Sequence, residues 1–264
     1  MDAGRAASLN REANVDVPAY LDRIRYQGPT VPSTETLRSL HRAHMFAVPF
    51  ENLDISLGRE IVCDESRFLH KIVNERRGGF CYEMNGAFAA LLRELGFQVT
   101  LLSARVSSSD GSDGPEYDHL ALRVELEEPW LTDVGFGDSF VDPLRLEPGL
   151  EQEQFGRRYR IMARESGGLH LEANADGTWK KQYVFTLQPR DLSEFAVMCH
   201  YHQTSPDSPF TRKRVCSLAT PEGRITVSGD KLIETRNGVR EERVLQGDGE
   251  WRAVLRDRMG VNLP

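Results

Sequence analysis

Apolar residues change their spacing twice along this chain, and those changes predict its elements. Up to about Phe97 they recur at three and four positions between capping residues, the period of amphipathic helices. Asp16 and Pro18 open a short helix through Tyr20, Leu21 and Ile24, which Gly28 and Pro29 close. Ser33 or Thr34 caps a second, with Leu37, Leu40, His41 and His44 on one face until Pro49 stops it. A third runs from Cys81 to Leu95. There Met84, Ala87, Phe88, Leu91, Leu92 and Leu95 form one apolar stripe, and Gly96 stands where a left-handed end residue is wanted. From Val99 to about His202 the pattern turns to short strands, clearest where Leu120, Leu122, Val124 and Leu126 alternate with Ala121, Arg123 and Glu125. After a polar connection from Gln203 to Pro209, Arg224–Ser228 and Lys231–Thr235 read as strands. Asn237-Gly238 reads as a two-residue hairpin turn, and Glu250–Met259 as a closing helix. The polar stretch Ser107–Pro115 is expected to be a mobile loop.

This order predicts a multi-domain α+β chain: a helical unit over residues 1–97, a β unit, expected to be a small barrel, over 98–205, and a last α/β unit over 206–264. A length of 264 residues with 39% hydrophobic content suffices for a substantial core. Lys and Arg total 33 against 40 Asp and Glu, a formal charge of -7, which leaves no global positive field for a phosphate backbone. Nucleic acid is therefore not expected as a partner. No apolar run is long enough for a membrane span and no leader-like segment opens the chain, so a soluble cytoplasmic protein is expected. Cys63, Cys81, Cys199 and Cys216 contain no CxxC pair, which argues against a disulfide framework or a cysteine zinc site. His200 and His202 flank Tyr201 as if on a strand, but no third ligand of suitable spacing stands nearby, and no metal is expected.

Candidate chemistry concentrates at the start of the third helix. In Arg76-Arg77-Gly78-Gly79-Phe80-Cys81-Tyr82-Glu83-Met84-Asn85 two glycines permit close approach, and the cysteine falls in the first helical turn. Helix-start amides and a protonated imidazole together favour a thiolate, with a pKa expected well below 7. Read alone, a cysteine is a small buried residue; its place after Gly-Gly favours a nucleophile. A thiol nucleophile needs an imidazole, and the imidazole an acceptor that fixes its tautomer. His119 opens the alternating strand and Asp133 lies on the next, so Cys81, His119 and Asp133 can meet. On pattern alone, His119 also reads as a surface residue and Asp133 as a turn residue.

Three stretches resemble the arylamine N-acetyltransferase family in its bacterial form: His44-Met45-Phe46-Ala47-Val48-Pro49-Phe50-Glu51-Asn52-Leu53, Arg77-Gly78-Gly79-Phe80-Cys81-Tyr82-Glu83-Met84-Asn85, and Asp133-Val134-Gly135-Phe136-Gly137. The spacing is similar too, with the imidazole 38 positions after the thiol (119 minus 81) and the carboxylate 14 further on (133 minus 119). The resemblance is strong over about 17–143 and weaker beyond, where Ser208-Pro209-Phe210-Thr211 still fits. It implies a helical bundle, a β-barrel and an α/β lid around a cysteine-protease-like Cys-His-Asp core. It further implies catalysis by Cys81, His119 and Asp133, acetyl-coenzyme A as acyl donor without any metal, and aromatic amines or hydrazines, many of them xenobiotic, as acceptors. Phe50, Val106, Phe136 and Phe140 would line the acceptor pocket, with core packing as the alternative for each. Gly135, Gly137 and Thr211 would touch coenzyme A. Arg77 and Glu51 resemble a charged pair bracing the nucleophile helix. Arg212-Lys213-Arg214 reads as an exposed basic face or a phosphate contact. Acidic Asp138, inside the pocket turn, departs from the family pattern and leaves the acceptor open. Two other readings stand beside this one: an amide synthase, hydrolase or transglutaminase-like enzyme keeping the same triad, and a non-catalytic binding module on the same scaffold.

Overall fold

The computed structural model describes residues 15–174 and 176–264. Its first helix, α1 (Val17–Arg23), starts where the Asp16 carboxylate accepts the Ala19 N–H at 3.0 Å. The second, α2 (Thr34–Ala47), starts where Ser33 Oγ accepts the Thr36 N–H at 3.1 Å. Arg23, at the end of α1, is buried and donates to the carbonyls of Ala47, Ile72 and Arg77, which fastens α1 to the segment leading into the nucleophile. A two-residue strand β1 (Phe50–Glu51) and short helices α3 (Leu53–Ser56) and α4 (Glu65–Leu69) follow. A π turn over His70–Asn74 leads on to α5 (Cys81–Glu94). The stripe read from the sequence is buried as far as Leu92, and its last member, Leu95, is half-buried just past the helix end. Met84, Ala87, Phe88, Leu91 and Leu92 are all at most 1% exposed, and Gly96 takes φ +89° beyond the helix end. Full burial of each larger side chain contributes roughly 1.5–3 kcal/mol, enough to fix where the first turn of α5 sits.

Strands β2 (Gln98–Val106), β3 (His119–Glu125), β4 (Pro129–Thr132), β5 (Leu144–Arg145), β6 (Gln152–Gln154), β7 (Arg157–Ala163), β8 (Leu169–Asn174) and β9 (Trp179–Phe185) form one antiparallel sheet in the order β5-β4-β3-β2-β9-β8-β7-β6. A bridge from Pro148 to Ile161 nearly closes it into a barrel. One face of β2 and β3 packs on the helical core through Leu101, Leu120, Leu122 and Val124, while Leu102, Ala104 and Ala121 join Ile161, Leu171 and Tyr183 inside the curl. Because β3 divides its side chains between two cores, His119 at its first position sits at their junction.

Helix α6 (Ala196–Thr204) and the short α7 (Pro209–Arg212) precede a meander of β10 (Val215–Thr220), β11 (Gly223–Ser228), β12 (Lys231–Arg236) and β13 (Val239–Val244). The last helix, α8 (Gly247–Met259), buries Trp251, Val254, Leu255 and Met259 against that sheet. β1 joins the meander beside β10, pairing Phe50 with Ser217 and Glu51 with Cys216, and Phe50 also bridges Gly79, so the chain just before the nucleophile is linked through β1 to the last sheet.

Four expectations need correction or detail. His200 and His202 lie on α6, where two positions apart means different sides, so the strand alternation read into them is absent. Cys199, inside the Val99–His202 stretch read as strands, is on the same helix. Loop 107–115 is tied down by a Ser107–Asp113 bridge and by Asp113 ion pairs with Lys181 at 2.6 Å and Arg164 at 3.1 Å. The closing helix begins three residues earlier than read, at Gly247. Among the described residues no helix is long and apolar enough to cross a membrane.

Candidate active site

Cys81 is the first residue of α5, and the chain reaches it through two close approaches. A Cβ on Gly78 would fall 1.8 Å from the Pro49 carbonyl oxygen, so only glycine lets this strand pass β1. Across the site, a Cβ on Gly135 would fall 2.8 Å from Cys81 Cα, so the Asp133–Gly137 turn lies directly against the nucleophile. The Tyr82 hydroxyl donates to the Tyr117 carbonyl at 2.7 Å, and Asn85 Nδ2 donates to the Leu120 carbonyl at 2.6 Å. Two successive faces of α5 thus grip the start of β3 on either side of His119.

The three side chains meet. The Cys81 thiol is hydrogen-bonded to the His119 ring and also receives the Leu120 backbone amide. His119 Nε2 lies 2.7 Å from Asp133 Oδ2, which leaves Nδ1 for the sulfur. Cys81 is 4% exposed, His119 2% and Asp133 not at all. Asp133 is saturated with donors: Asn85 Nδ2 at 2.8 Å and the Gly135 amide at 2.9 Å on Oδ1, and the Tyr183 hydroxyl at 3.1 Å on Oδ2. The Asp133 amide donates to His41 Nε2 at 3.2 Å, so His41 is the tautomer whose Nδ1–H donates to the Val141 carbonyl at 2.6 Å. Burial pushes the His41 pKa down, in keeping with this neutral form.

The electrostatics of the trio differ from the sequence expectation. Burial works against a cation at His119, but the charges and hydrogen bonds of Asp133 and Cys81 together outweigh it and the ring is raised to about 10. Burial is also countered at Asp133, where His119, Asn85 and the Gly135 amide hold the carboxyl below its ordinary value. At Cys81 burial wins: it pushes the thiol up, with the hydrogen bond and charge of His119 pulling back. The helix-start argument for a thiol far below 7 omitted the cost of placing a thiolate where water is excluded. Ionisation of Cys81 therefore depends on the imidazolium more than on the helix.

Around the trio, Phe136 packs edge-on to the His119 ring at 5.2 Å and against Tyr183, and Phe50 stands beside Gly137. Phe50, Val106 and Phe136 are half-buried, Phe50 packed against the helical core and Phe136 against the core inside the curl of the sheet. Phe140 is different. It is fully buried, stacked on His41 at 5.7 Å and edge-on to Tyr159, inside the barrel core, so its packing matches the core alternative raised for it. Gly137 adopts φ +92°. Thr211 Oγ1 is engaged locally, donating to the Ser205 and Ser208 carbonyls. Asp138 is held by Arg157 at 2.7 Å and Arg224 at 3.1 Å at the edge of a cavity of about 570 Å³ between barrel and meander. Of the basic triplet, Arg212 pairs with Asp207, Lys213 is exposed, and Arg214 stacks 4.0 Å over Trp251.

Behind the first turn of α5 lies a second buried polar group. Arg77 pairs with Glu51 at 2.7 Å and Asp54 at 3.1 Å; Lys71 pairs with Asp54 at 2.8 Å and Glu83 at 2.7 Å. Glu83 Oε2 accepts the Phe80 amide, the N-cap position of α5, at 3.1 Å. Burial, with the neighbouring carboxylate of Glu51, raises Glu83 to about 7 against the pull of Lys71. The sequence disclosed the Arg77–Glu51 pair but not Lys71, Asp54 or Glu83. It also missed His41, Asn85 and Tyr183 as partners of the trio, although Asn85 stood inside a quoted motif.

Comparison with known proteins bears on this arrangement as a whole. A family model described as N-acetyltransferase matches residues 33–264. The arylamine N-acetyltransferase of Escherichia coli K12 is 35% identical over 248 residues, covering 92% of this chain and 88% of that one. A pineal gland arylamine N-acetyltransferase isozyme of Gallus gallus is 34% identical over 277 residues, covering 94% and 95%. Among solved structures, the Mycobacterium tuberculosis arylamine N-acetyltransferase superposes with TM-score 0.88 at 35% identity, covering 94% of each chain. The Mycobacterium marinum enzyme in complex with CoA superposes with TM-score 0.88 at 34% identity, covering 94% of this chain and 93% of that one. With its α+β architecture and a match running nearly end to end in both sequence and structure, this chain belongs to the arylamine N-acetyltransferase family.

Proposed function

We propose that the chain transfers an acetyl group from acetyl-coenzyme A to an arylamine or arylhydrazine through an acetyl-cysteine formed on Cys81. The observation carrying this reading is the buried relay of thiol, imidazole and carboxylate, with His119 presenting one ring nitrogen to each partner. A thiolate attacking a thioester exchanges one sulfur leaving group for another, so the first half-reaction asks little more than alignment and a charged nucleophile. Asp133 keeps His119 cationic, and the cation, helped by the Leu120 amide, stabilises the thiolate against its burial. His119 then protonates the departing coenzyme A thiolate. In the second half-reaction the neutral ring takes a proton from the attacking amine as the amide forms and Cys81 is released. The Cys81 amide is the candidate oxyanion donor, since the first amides of a helix lack partners within it.

The aromatic surround of Phe50, Phe136 and Tyr183 suits a flat ring, which gains from buried area and edge-on packing. Support for a coenzyme A thioester as donor comes from the M. marinum relative, whose structure is a complex with CoA. Gly135, which lies against the backbone of Cys81, and Gly137, beside Phe50, are the nearer candidates for contact with that donor, with Thr211 farther along the chain. Purified protein given acetyl-coenzyme A alone should release thiol in a single burst matching the enzyme concentration. Adding an aromatic amine or hydrazine should convert the burst to steady turnover. Steady release unaffected by the amine would instead indicate a hydrolase, and would overturn the proposal.

A further inference from the structure

His202 belongs to neither of the buried polar groups described above, yet it stands behind the catalytic ring. It is buried on α6, with Nε2 3.0 Å from Asp118 Oδ1 and 3.3 Å from the Asp118 carbonyl oxygen. Both partners accept, so Nε2 carries the proton and donates. Nδ1 faces Ser208 Oγ at 3.5 Å, and the ring lies edge-on to Phe210 at 5.2 Å and tilted toward Tyr82 at 6.2 Å. Asp118 is the residue before His119.

The chain enters β3 through a strained bend. Tyr117 takes φ +64°, in the left-handed region, and a bulky residue persists there only where its surroundings hold it. Three elements do so. From α5 the Tyr82 hydroxyl donates to the Tyr117 carbonyl at 2.7 Å. From β2 Ser103 Oγ accepts the Tyr117 N–H at 2.8 Å, and the Val106 N–H donates to Asp118 Oδ2 at 3.2 Å. From α6 comes His202, on the other carboxylate oxygen. One carboxylate thus ties α6 to β2 across the residue that precedes His119.

We propose that His202 is a positioning residue for acyl transfer: through Asp118 it holds the Tyr117–Asp118 bend in the conformation that delivers the His119 ring to Cys81. The inference rests on the acetyl-cysteine reading above for the reaction it serves. Without the Nε2–H the bend loses its tie to α6, and His119 is held less closely against the thiol. The Asp118 charge acts in the same sense, because it adds to burial in pushing the Cys81 thiol up, and the donor that blunts it is gone. A displacement of about 1 Å at a catalytic group costs about 10²-fold in rate, so a side chain remote from the reacting atoms has this much to control.

The test compares, in the full chain, His202→Gln, whose amide reaches the Nε2 position, with His202→Asn, whose shorter amide reaches only the Nδ1 position. Two properties are read beside the folded fraction: the rate of acetyl-Cys81 formation from acetyl-coenzyme A, and the pH profile of Cys81 alkylation by iodoacetamide. The expected result for the asparagine variant is acetylation slower by about 10-fold or more than its folded fraction accounts for, with alkylation displaced to higher pH. The glutamine variant should recover most of both. In an Asp118→Ala background the difference between the two variants should shrink. Rates that track the folded fraction with wild-type alkylation profiles, equal losses in the two variants, or an undiminished difference without the Asp118 carboxylate would each overturn the proposal. A wild type that forms no acetyl-Cys81 would instead remove the acetyl-cysteine reading, and the alkylation profiles would still decide the role of His202.

Discussion

The first turn of α5 separates two buried polar groups that resemble each other in burial and differ in balance. On one side Cys81, His119 and Asp133 form a chain in which a single carboxylate raises a ring, and the ring in turn works against the burial of a thiol. On the other, Glu51, Asp54 and Glu83 face Lys71 and Arg77, and every carboxylate has a cation within about 3 Å. The first group keeps a proton in play beside aromatic walls. The second spends its charges on one another, and through Glu83 on the Phe80 amide that starts the helix. Burial alone therefore does not mark a reactive site; what marks it is a nucleophile left dependent on one neighbour.

The comparison can be broken by removing members of each side. Cys81→Ala and His119→Ala should each lower acetyl transfer by about 10³-fold or more; Cys81→Ala should leave the urea midpoint nearly unchanged, whereas His119→Ala strips buried Asp133 of its cation and should lower the midpoint as well. Asp133→Asn should cost about 10²–10⁴-fold in kcat, because the ring loses both its orienting acceptor and the charge that raises it. On the other side, Arg77→Met or Lys71→Met leaves buried carboxylates uncompensated and should destabilise the fold by about 3–5 kcal/mol, read from denaturant unfolding. Activity should fall in proportion to the folded fraction, since these groups do not touch the relay. Tyr183→Phe removes one of the donors to Asp133 and should have a small effect, about 1 kcal/mol, on kcat/KM or on stability.

Acid should sharpen the same contrast. Burial holds His41 and His44 below the ordinary histidine value of 6.5, so as pH falls below 6.5 the unfolded chain binds protons that the folded one refuses, and stability drops. His119 acts in the opposite sense. Raised to about 10, its contribution is fully present below 6.5 and is lost as pH rises through about 10. Asp133, depressed, contributes above 3.8 and loses that contribution as pH falls through its folded value. His44→Gln should thus flatten the fall of the urea midpoint on the acid side of 6.5 and leave the alkaline side unchanged.

How much of this was legible in the sequence varies with the kind of interaction. Helix α5 was clear because its stripe, its Gly96 stop and its Gly-Gly entry are local signals. The strands at 223–228 and 231–236 and the turn at Asn237-Gly238 were clear for the same reason, the turn residues taking φ +50° and +80°. Short β1 was not, since two residues carry no period and its pairing with β10 spans most of the chain. Helix α6 was misread because Cys199 to His202 mixes polar and apolar residues at spacings that fit either element. In the site, the trio could be read from residue type and spacing, but its supports could not. Asn85, Tyr183 and His41 become partners of Asp133 only through tertiary contacts 48, 50 and 92 positions long. Desolvation of the thiol was equally hidden, because burial is a property of the folded molecule.

The account depends on Cys81 becoming an acyl carrier by virtue of the cation beside it. Its most direct test is to mix the protein with acetyl-coenzyme A alone across a pH series and to quantify acetyl-Cys81 peptide by mass spectrometry, in the wild type and in His119→Gln. The account predicts one acetyl group on Cys81 in the wild type. In the variant it predicts acetylation that is far slower and displaced to higher pH. Acetylation of Cys81 at the same rate and with the same pH profile in both proteins would contradict it.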